Sequence, residues 1–449
     1  MRRFIPFALL LGLLVSRAGL AQYKDYPQLA GKVQEIPFNL PAWMTLDMDL
    51  RGRTEAQTAI NYLGGNAQVY ELTRVRGGME LRPARWMTFY VQFHDTHALG
   101  LPLKYTSSNM RDNFDFRQGY LEFHAKPIEV YAGRKELKFG DERVVGISDW
   151  TNNSRTFDGF FARIGDQNRL DLFSASVVVI HPTALDRHAA GLNFHGAYGS
   201  INTWVPRSTI EPYVFIKALP SVSSQQKIPG TETEVTTGLR VAYNAEAGFD
   251  FVAEGDLQRG SYSNDSIHSG AAYAKVGYTA TKIPWKPRLR GEYDYATGNT
   301  HTNPLRIGTF DQQYPSSHNV FGQVDLFGWE NIKQARANLD LVPASHLTLL
   351  IQQEFLRTAS REDSVYSGSG AVVVKPPAGG FLANNIGHGF DAAMKYVFHD
   401  SFVVSAGVGH FSPGQLMTEN SHGAPLTISF VGVTYRFKLD KGNSATSPN

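Results

Sequence analysis

Four arginines, Arg51, Arg53, Arg74 and Arg76, stand as two pairs, each pair two residues apart. On a β-strand that spacing puts both members of a pair on one face. A guanidinium is a planar fork of donors that grips a carboxylate through two bonds, so such faces offer successive holds to an acidic solute. The same alternation continues through Glu80 and Arg82, Arg240, Glu254 and Asp256, Arg288 to Asp294 with Arg290 and Glu292 between, and Arg336 with Asp340. Interleaved charges of both signs also pair with one another across strands, and the larger share of these groups is assigned to such pairs. The remainder is the candidate binding track.

Other groups with reactive side chains point to less. Asp47 and Asp49 share a face simply because they are two apart on a strand, which does not make a metal site. His94-Asp95-Thr96-His97 lies where a strand runs into a loop, a place for solvated polar residues. No P-loop, dinucleotide fingerprint or HExxH motif occurs, and the Gly-x-Ser-x-Gly elbow of hydrolases is missing. The sequence therefore implies no enzyme, no metal and no cofactor. An enzyme of lipid or sugar chemistry at the outer membrane stays as an alternative, and so does a non-transporting barrel plugged with paired charges.

The elements that must carry these residues are strands. In Met44 to Glu55 the apolar Met44, Leu46, Met48 and Leu50 alternate with Thr45, Asp47, Asp49, Arg51 and Arg53. A soluble sandwich would turn the apolar face inward, whereas a barrel in lipid turns it outward. About eighteen such segments fall between residues 44 and 437, an even number, as single-chain bacterial barrels require. Short joins such as 83–84, 126–127, 282–285, 343–345 and 399–400 alternate with long ones at 96–114, 140–154, 218–234, 297–332 and 358–386. Loops of that length suit the outer face of a barrel far better than a compact soluble domain. Beyond the first residues no stretch of 18 apolar residues occurs, which excludes transmembrane helices. Tyr, Phe and Trp make up 12% of the chain, enough for the aromatic belts of a bilayer-spanning protein. Trp43, Trp86, Trp150, Trp204, Trp285 and Trp329 are assigned to that girdle, with sugar stacking by Trp150 or Trp329 as the second use.

Arg2 and Arg3, the apolar run Phe4 to Val15 and Ala18-Gly19-Leu20-Ala21 form a secretory signal over residues 1–21, with cleavage expected before Gln22. That removes Arg2, Arg3 and Arg17 from 43 basic residues and leaves them balanced against 41 acidic ones. A near-neutral chain is no nucleic-acid binder. Cysteine is absent, so neither disulfides nor thiolate chemistry is available. Gly432-x-x-Tyr435-x-Phe437 is similar to the terminal signal read by the outer-membrane assembly machinery. The barrel is therefore expected over 22–437 and a disordered polar tail over 438–449.

Two ordered blocks carry a family resemblance. GRKELKFGDERVVGISDWTNNSRTFDG runs from Gly133 to Gly159, and YDYATGNTHTNPLRIGTFDQQYPSSHNVFGQVDLFGWE from Tyr293 to Glu330. Both resemble the alginate-export family of bacterial outer-membrane β-barrels. The resemblance implies an all-β transmembrane antiparallel barrel of eighteen strands in the outer membrane, surrounded by its lipid. It implies passive passage of an alginate-like polyuronate, with a general anion or sugar-acid porin as the alternative. A periplasmic scaffold lipoprotein is a further implied partner. It also places Arg134, Arg143, Arg155 and Asp158 in or beside the pore, joining Arg51, Arg53, Arg74, Arg76, Arg290 and Arg336 from the alternation. A structural pair between Arg155 and Asp158 is the competing reading.

Overall fold

The computed structural model describes residues 33–441 apart from 246, 301–302 and 399–400. Eighteen antiparallel strands close into one barrel. They are β1 Met44–Gln57, β2 Gln68–Ala84, β3 Met87–Leu99, β4 Asp112–Ala125, β5 Ile128–Lys135 and β6 Phe157–Ile164. Next come β7 Arg169–Val179, β8 Asn193–Ser200, β9 Ser208–Ser223, β10 Pro229–Asn244, β11 Phe249–Tyr262 and β12 Asp265–Thr279. The last six are β13 Arg288–Ala296, β14 Ile332–Ala344, β15 Leu347–Thr358, β16 Asn385–Phe398, β17 Phe402–Pro413 and β18 Leu426–Lys441. β1 pairs with β18 in the register Met48↔Phe437 and Gln57↔Ile428, which closes the ring and leaves no free edge. Closure is what allows a sheet to stand in lipid, because every backbone donor and acceptor finds a partner within the wall.

The distribution of side chains decides between sandwich and barrel. Val69, Leu257 and Phe160 are 65%, 58% and 68% exposed on the outer face, while Arg74 and Arg240 are each 1% exposed inside. A water-soluble fold would invert this arrangement. Charge on the lipid face near the midplane would cost roughly 2–4 kcal/mol for each Arg or Lys, so alternation sends it inward.

Several boundaries differ from the sequence reading. Residues 218–234 are no loop: β9 and β10 pair from Ser208↔Tyr243 to Ser223↔Pro229 across a bulge, leaving only a tight turn. Residues 438–441, assigned to the tail, continue β18 and pair on one side with β1 through Asp47↔Lys438 and Leu46↔Leu439. On the other side the extended segment Gln34–Phe38 pairs with them in parallel. The signal segment 1–21 and residues 442–449 lie outside the described residues.

The long connections 136–156 and 308–331 fold into the barrel instead of standing above it. They meet at a bridge between Val145 and Tyr314. Gly146 N donates to Tyr314 O at 2.8 Å, Tyr314 N to Val144 O at 2.9 Å and Ser316 N to Glu142 O at 2.8 Å. Each block of the resemblance thus contributes one half of a brace across the lumen. Behind it lies a packed core of Phe157, Phe173, Phe194, Tyr198, Phe215, Phe310 and Trp329. The tryptophan girdle needs correcting accordingly. Trp43, Trp86, Trp204 and Trp285 are exposed at the short-turn ends of the strands, whereas Trp329 is fully buried in the core. Trp150 sits inside, stacked on His318 at 3.6 Å.

Candidate solute pathway

The brace leaves an opening on the side of the lumen walled by β1–β4 and β16–β18. This cavity has a volume of 500 Å³. It is lined by Arg51, Arg53, Arg74, Arg76, Arg117, Lys138, Lys395 and Arg436, against Asp49, Glu136, Glu142 and Asp149. Eight cations thus face four carboxylates.

Most of these arginines hold the brace to the wall. Arg51 donates to Asp149 O and Thr151 O, both at 2.7 Å. Arg53 pairs with Glu55 at 2.6 Å and donates to Trp150 O at 2.8 Å. Its guanidinium also lies 3.7 Å above the Trp150 ring, so Arg53, Trp150 and His318 form one stack joining wall, first insertion and second insertion. Arg74 and Arg76 converge on Asp149 Oδ1 at 3.0 and 2.9 Å. Burial alone would raise the Asp149 pKa, but Arg74, Arg76 and Arg51 hold it well below the ordinary carboxylate range.

The opposite wall has the opposite balance. Arg143 reaches from the first insertion to Asp294 at 2.5 Å and to Glu292, with its guanidinium 3.6 Å over Tyr273. Arg336 pairs with Glu292 at 2.5 Å and donates to Val320 O. Arg290 bonds Asp340 at 3.1 Å, and Arg240 bonds Asp141 at 2.6 Å. Glu254, Asp256 and Glu354 add carboxylates buried in the same half. The lumen is therefore basic on one side and acid-rich on the other.

The ten side chains predicted from sequence separate into three groups. Arg51, Arg53, Arg74 and Arg76 line the cavity. Arg143, Arg290 and Arg336 belong to the carboxylate-rich wall. Arg134, Asp158 and Arg155 do something else. Arg134 Nε meets Asp158 Oδ1 at 2.7 Å. Both share the strand face of the exposed Val130 and Phe160, at the extracellular rim, where Arg134 also donates to Asp186 O at 3.1 Å. The expectation that they face the pore is corrected: alternation puts them on the outer side. Arg155 forms no pair with Asp158 either. Its Nη1 donates to Gly146 O, Tyr314 O and Pro315 O at 2.8, 2.6 and 3.1 Å, clamping both halves of the brace.

The sequence reading missed lysines. Lys138 and Lys395 line the basic cavity and make no ion pair among the described residues. Lys135 has its ammonium 3.3 Å above the Tyr131 ring and likewise makes no ion pair among the described residues, although the charges of Glu122, Asp171 and Glu129 act on it. Lys135 and Lys138 stand inside the first block of the family resemblance, in GRKELK, and the interest of arginine as a bidentate donor hid them. As for metals, Asp49 is already satisfied by Arg74 at 3.0 Å and Arg436 at 2.6 Å, so cations of the protein occupy its oxygens. His94, Asp112 and Asp186 offer ligand atoms within 4.8 Å of one another, as do Glu232, Glu234 and Asp311, the latter set neutralised in part by Lys217.

A closed eighteen-stranded barrel, apolar outside, charged inside and narrowed by inward-folded loops, defines an outer-membrane channel of porin type. The family model for alginate export matches residues 42–425, and the chain belongs to that family. No curated protein sequence matches it. Among solved structures, Acinetobacter baumannii OccAB2 superposes with a TM-score of 0.61 at 9% identity, covering 89% of this chain and 100% of that one. The outer membrane protein OpdK from Pseudomonas aeruginosa gives 0.59 at 10% identity, covering 88% and 98%. Identities this low speak to fold alone. Fold and family together place the protein in the bacterial outer membrane.

Proposed function

We propose that the barrel passively conducts an anionic polysaccharide, an alginate-like polyuronate. The observation that carries this reading is the basic cavity, where eight cations face four carboxylates and where Lys138 and Lys395 have no ion-pair partner among the described residues. A uronate chain bears one carboxylate on each sugar, so it meets several weak cationic sites at once. Weak, repeated sites favour loading without trapping. The family membership supports the same solute class. The terminal signal at Gly432 to Phe437 supports assembly by the outer-membrane machinery, and polymer export calls for a periplasmic scaffold lipoprotein as partner.

A second reading, a porin for single sugar acids or related acidic solutes, is favoured by the brace, which confines the opening to 500 Å³. The two separate in planar bilayers. Block of ion current by mannuronate oligomers should tighten with each added sugar if the polymer is the solute. Equal block by monomer and hexamer would overturn the polyuronate reading in favour of the sugar-acid porin.

A further inference from the structure

Next to the basic cavity lies a second one of 380 Å³, sharing Gln118, Glu136 and Lys138 with it. Its volume falls in the range of roughly 300–1,000 Å³ usual for small-molecule sites. Three tyrosines from successive strands line it: Tyr90 on β3, Tyr120 on β4 and Tyr131 on β5. The ring centroids follow one another at 5.5 and 5.8 Å. Tyr90 and Tyr131 are each three residues from the short-turn ends of their strands, so the site lies about 10 Å inside the periplasmic mouth.

The polar groups of this pocket are unequally committed. Tyr90 Oη donates to Asp47 at 3.2 Å and Tyr131 Oη to Glu129 at 2.8 Å. Tyr120 Oη has no hydrogen-bond partner among the described residues, and its ring is only half-buried. Lys135 stands over Tyr131 with its ammonium 5.5 Å from the Tyr120 ring, and Lys138 is exposed at the junction of the two cavities.

We infer that this tyrosine pocket is a sugar-acid subsite, the first to receive a uronate ring arriving from the periplasm. A pyranose has an apolar face of C–H bonds that packs on an aromatic ring, hydroxyls that meet a free phenol, and here a carboxylate. Tyr120 supplies both ring and free hydroxyl; Lys135 and Lys138 supply the charge. Small-molecule sites combine aromatic walls with few polar groups in just this way. The basic cavity beyond Lys138 then takes the next carboxylate. Arginines alone would hold any polyanion, whereas the tyrosines require a ring.

The inference rests on the polyuronate reading, and the test separates the two. The probes are a mannuronate hexamer and hexa-aspartate, which carries carboxylates without sugar rings, each added to the periplasmic side of reconstituted channels. Tyr120→Ala should weaken hexamer block about tenfold and change hexa-aspartate block less than twofold, while Tyr120→Phe should keep most of the hexamer block. Equal weakening for both probes, or hexamer block unchanged in Tyr120→Ala, would overturn the subsite alone. Absence of hexamer block in the unmodified channel would overturn the polyuronate reading and the subsite with it. Retention of block by Tyr120→Phe also shows that the strand tolerates substitution here.

Discussion

At the scale of residues, the lumen divides its cations by chemistry. Guanidiniums, with five donors in a rigid fork, serve as girders: Arg51, Arg53, Arg74 and Arg155 reach backbone carbonyls of the inward loops. Ammonium groups on flexible stems, at Lys138 and Lys395, make no ion pair among the described residues, and in the proposed reading they meet the anion. Arg155 tests this division. Arg155→Ala removes three charge-assisted bonds to carbonyls of both insertions and should cost the brace on the order of 3 kcal/mol. Its expected signature is noisy, enlarged conductance with anion preference retained. Because Arg155 and Asp158 share no partner, their alanine effects on thermal unfolding should add within about 0.5 kcal/mol, whereas Arg134→Ala and Asp158→Ala should be strongly non-additive. Coupling between Arg155 and Asp158 above that margin would contradict the geometry. The sequence made the charges visible but not their partners. Asp149, the hub for Arg74 and Arg76, lies more than seventy residues away in a loop, where no periodicity reports which way a side chain turns.

At the scale of elements, period-two alternation revealed the strands well, because each has one face in lipid and one in the lumen. It failed where that contrast fades. The Thr-rich start of β10 reads as loop because polar residues occupy both faces: Glu232, Glu234 and Thr236 are buried inside, while Thr231 and Thr233 are exposed on the outer face. The inserted segments 136–156 and 308–331 were legible as long connections but not as a plug, since Val144, Val145, Phe310 and Trp329 follow no period. The plug carries a pH dependence of its own. Asp325 is half-buried beside Glu55 with its Oδ1 out of solvent, and this desolvation pushes its pKa up to about 7. An acid with a raised pKa stabilises the folded arrangement fully below its unfolded value, near 4, and this contribution is lost as pH rises through about 7. Asp149 behaves oppositely: its contribution is present in full above the ordinary carboxylate range and is lost progressively as the pH falls below it. Of these two carboxyls only Asp325 titrates between pH 5 and 8, and channel noise from its share in loosening the plug should increase with pH. Asp325→Asn should flatten that rise. A rise that survives in Asp325→Asn would place the titrating group elsewhere.

At the scale of the whole molecule, the barrel is an inside-out protein with a core on one side of its lumen and an opening on the other. Both halves anchor the brace, the aromatic and carboxylate-rich half by packing and Arg143, the basic half through Arg51, Arg53, Arg74 and Arg76, and the basic half retains the cavity proposed as the passage. A field across the lumen follows from that separation, and long-range fields of this kind weaken as salt shortens the Debye length from about 10 Å at 0.1 M to 3 Å at 1 M. The central claim is the proposal that the passage selects anions through Lys138 and Lys395, which make no ion pair among the described residues. The most direct measurement is the reversal potential of the reconstituted channel under a KCl gradient near 0.1 M, repeated for the Lys138→Glu, Lys395→Glu double variant. The unmodified channel should prefer chloride, with the preference fading toward about 1 M salt, and the double variant should lose or invert it. Cation preference at low salt, or a reversal potential unmoved by the two charge reversals, would contradict the account.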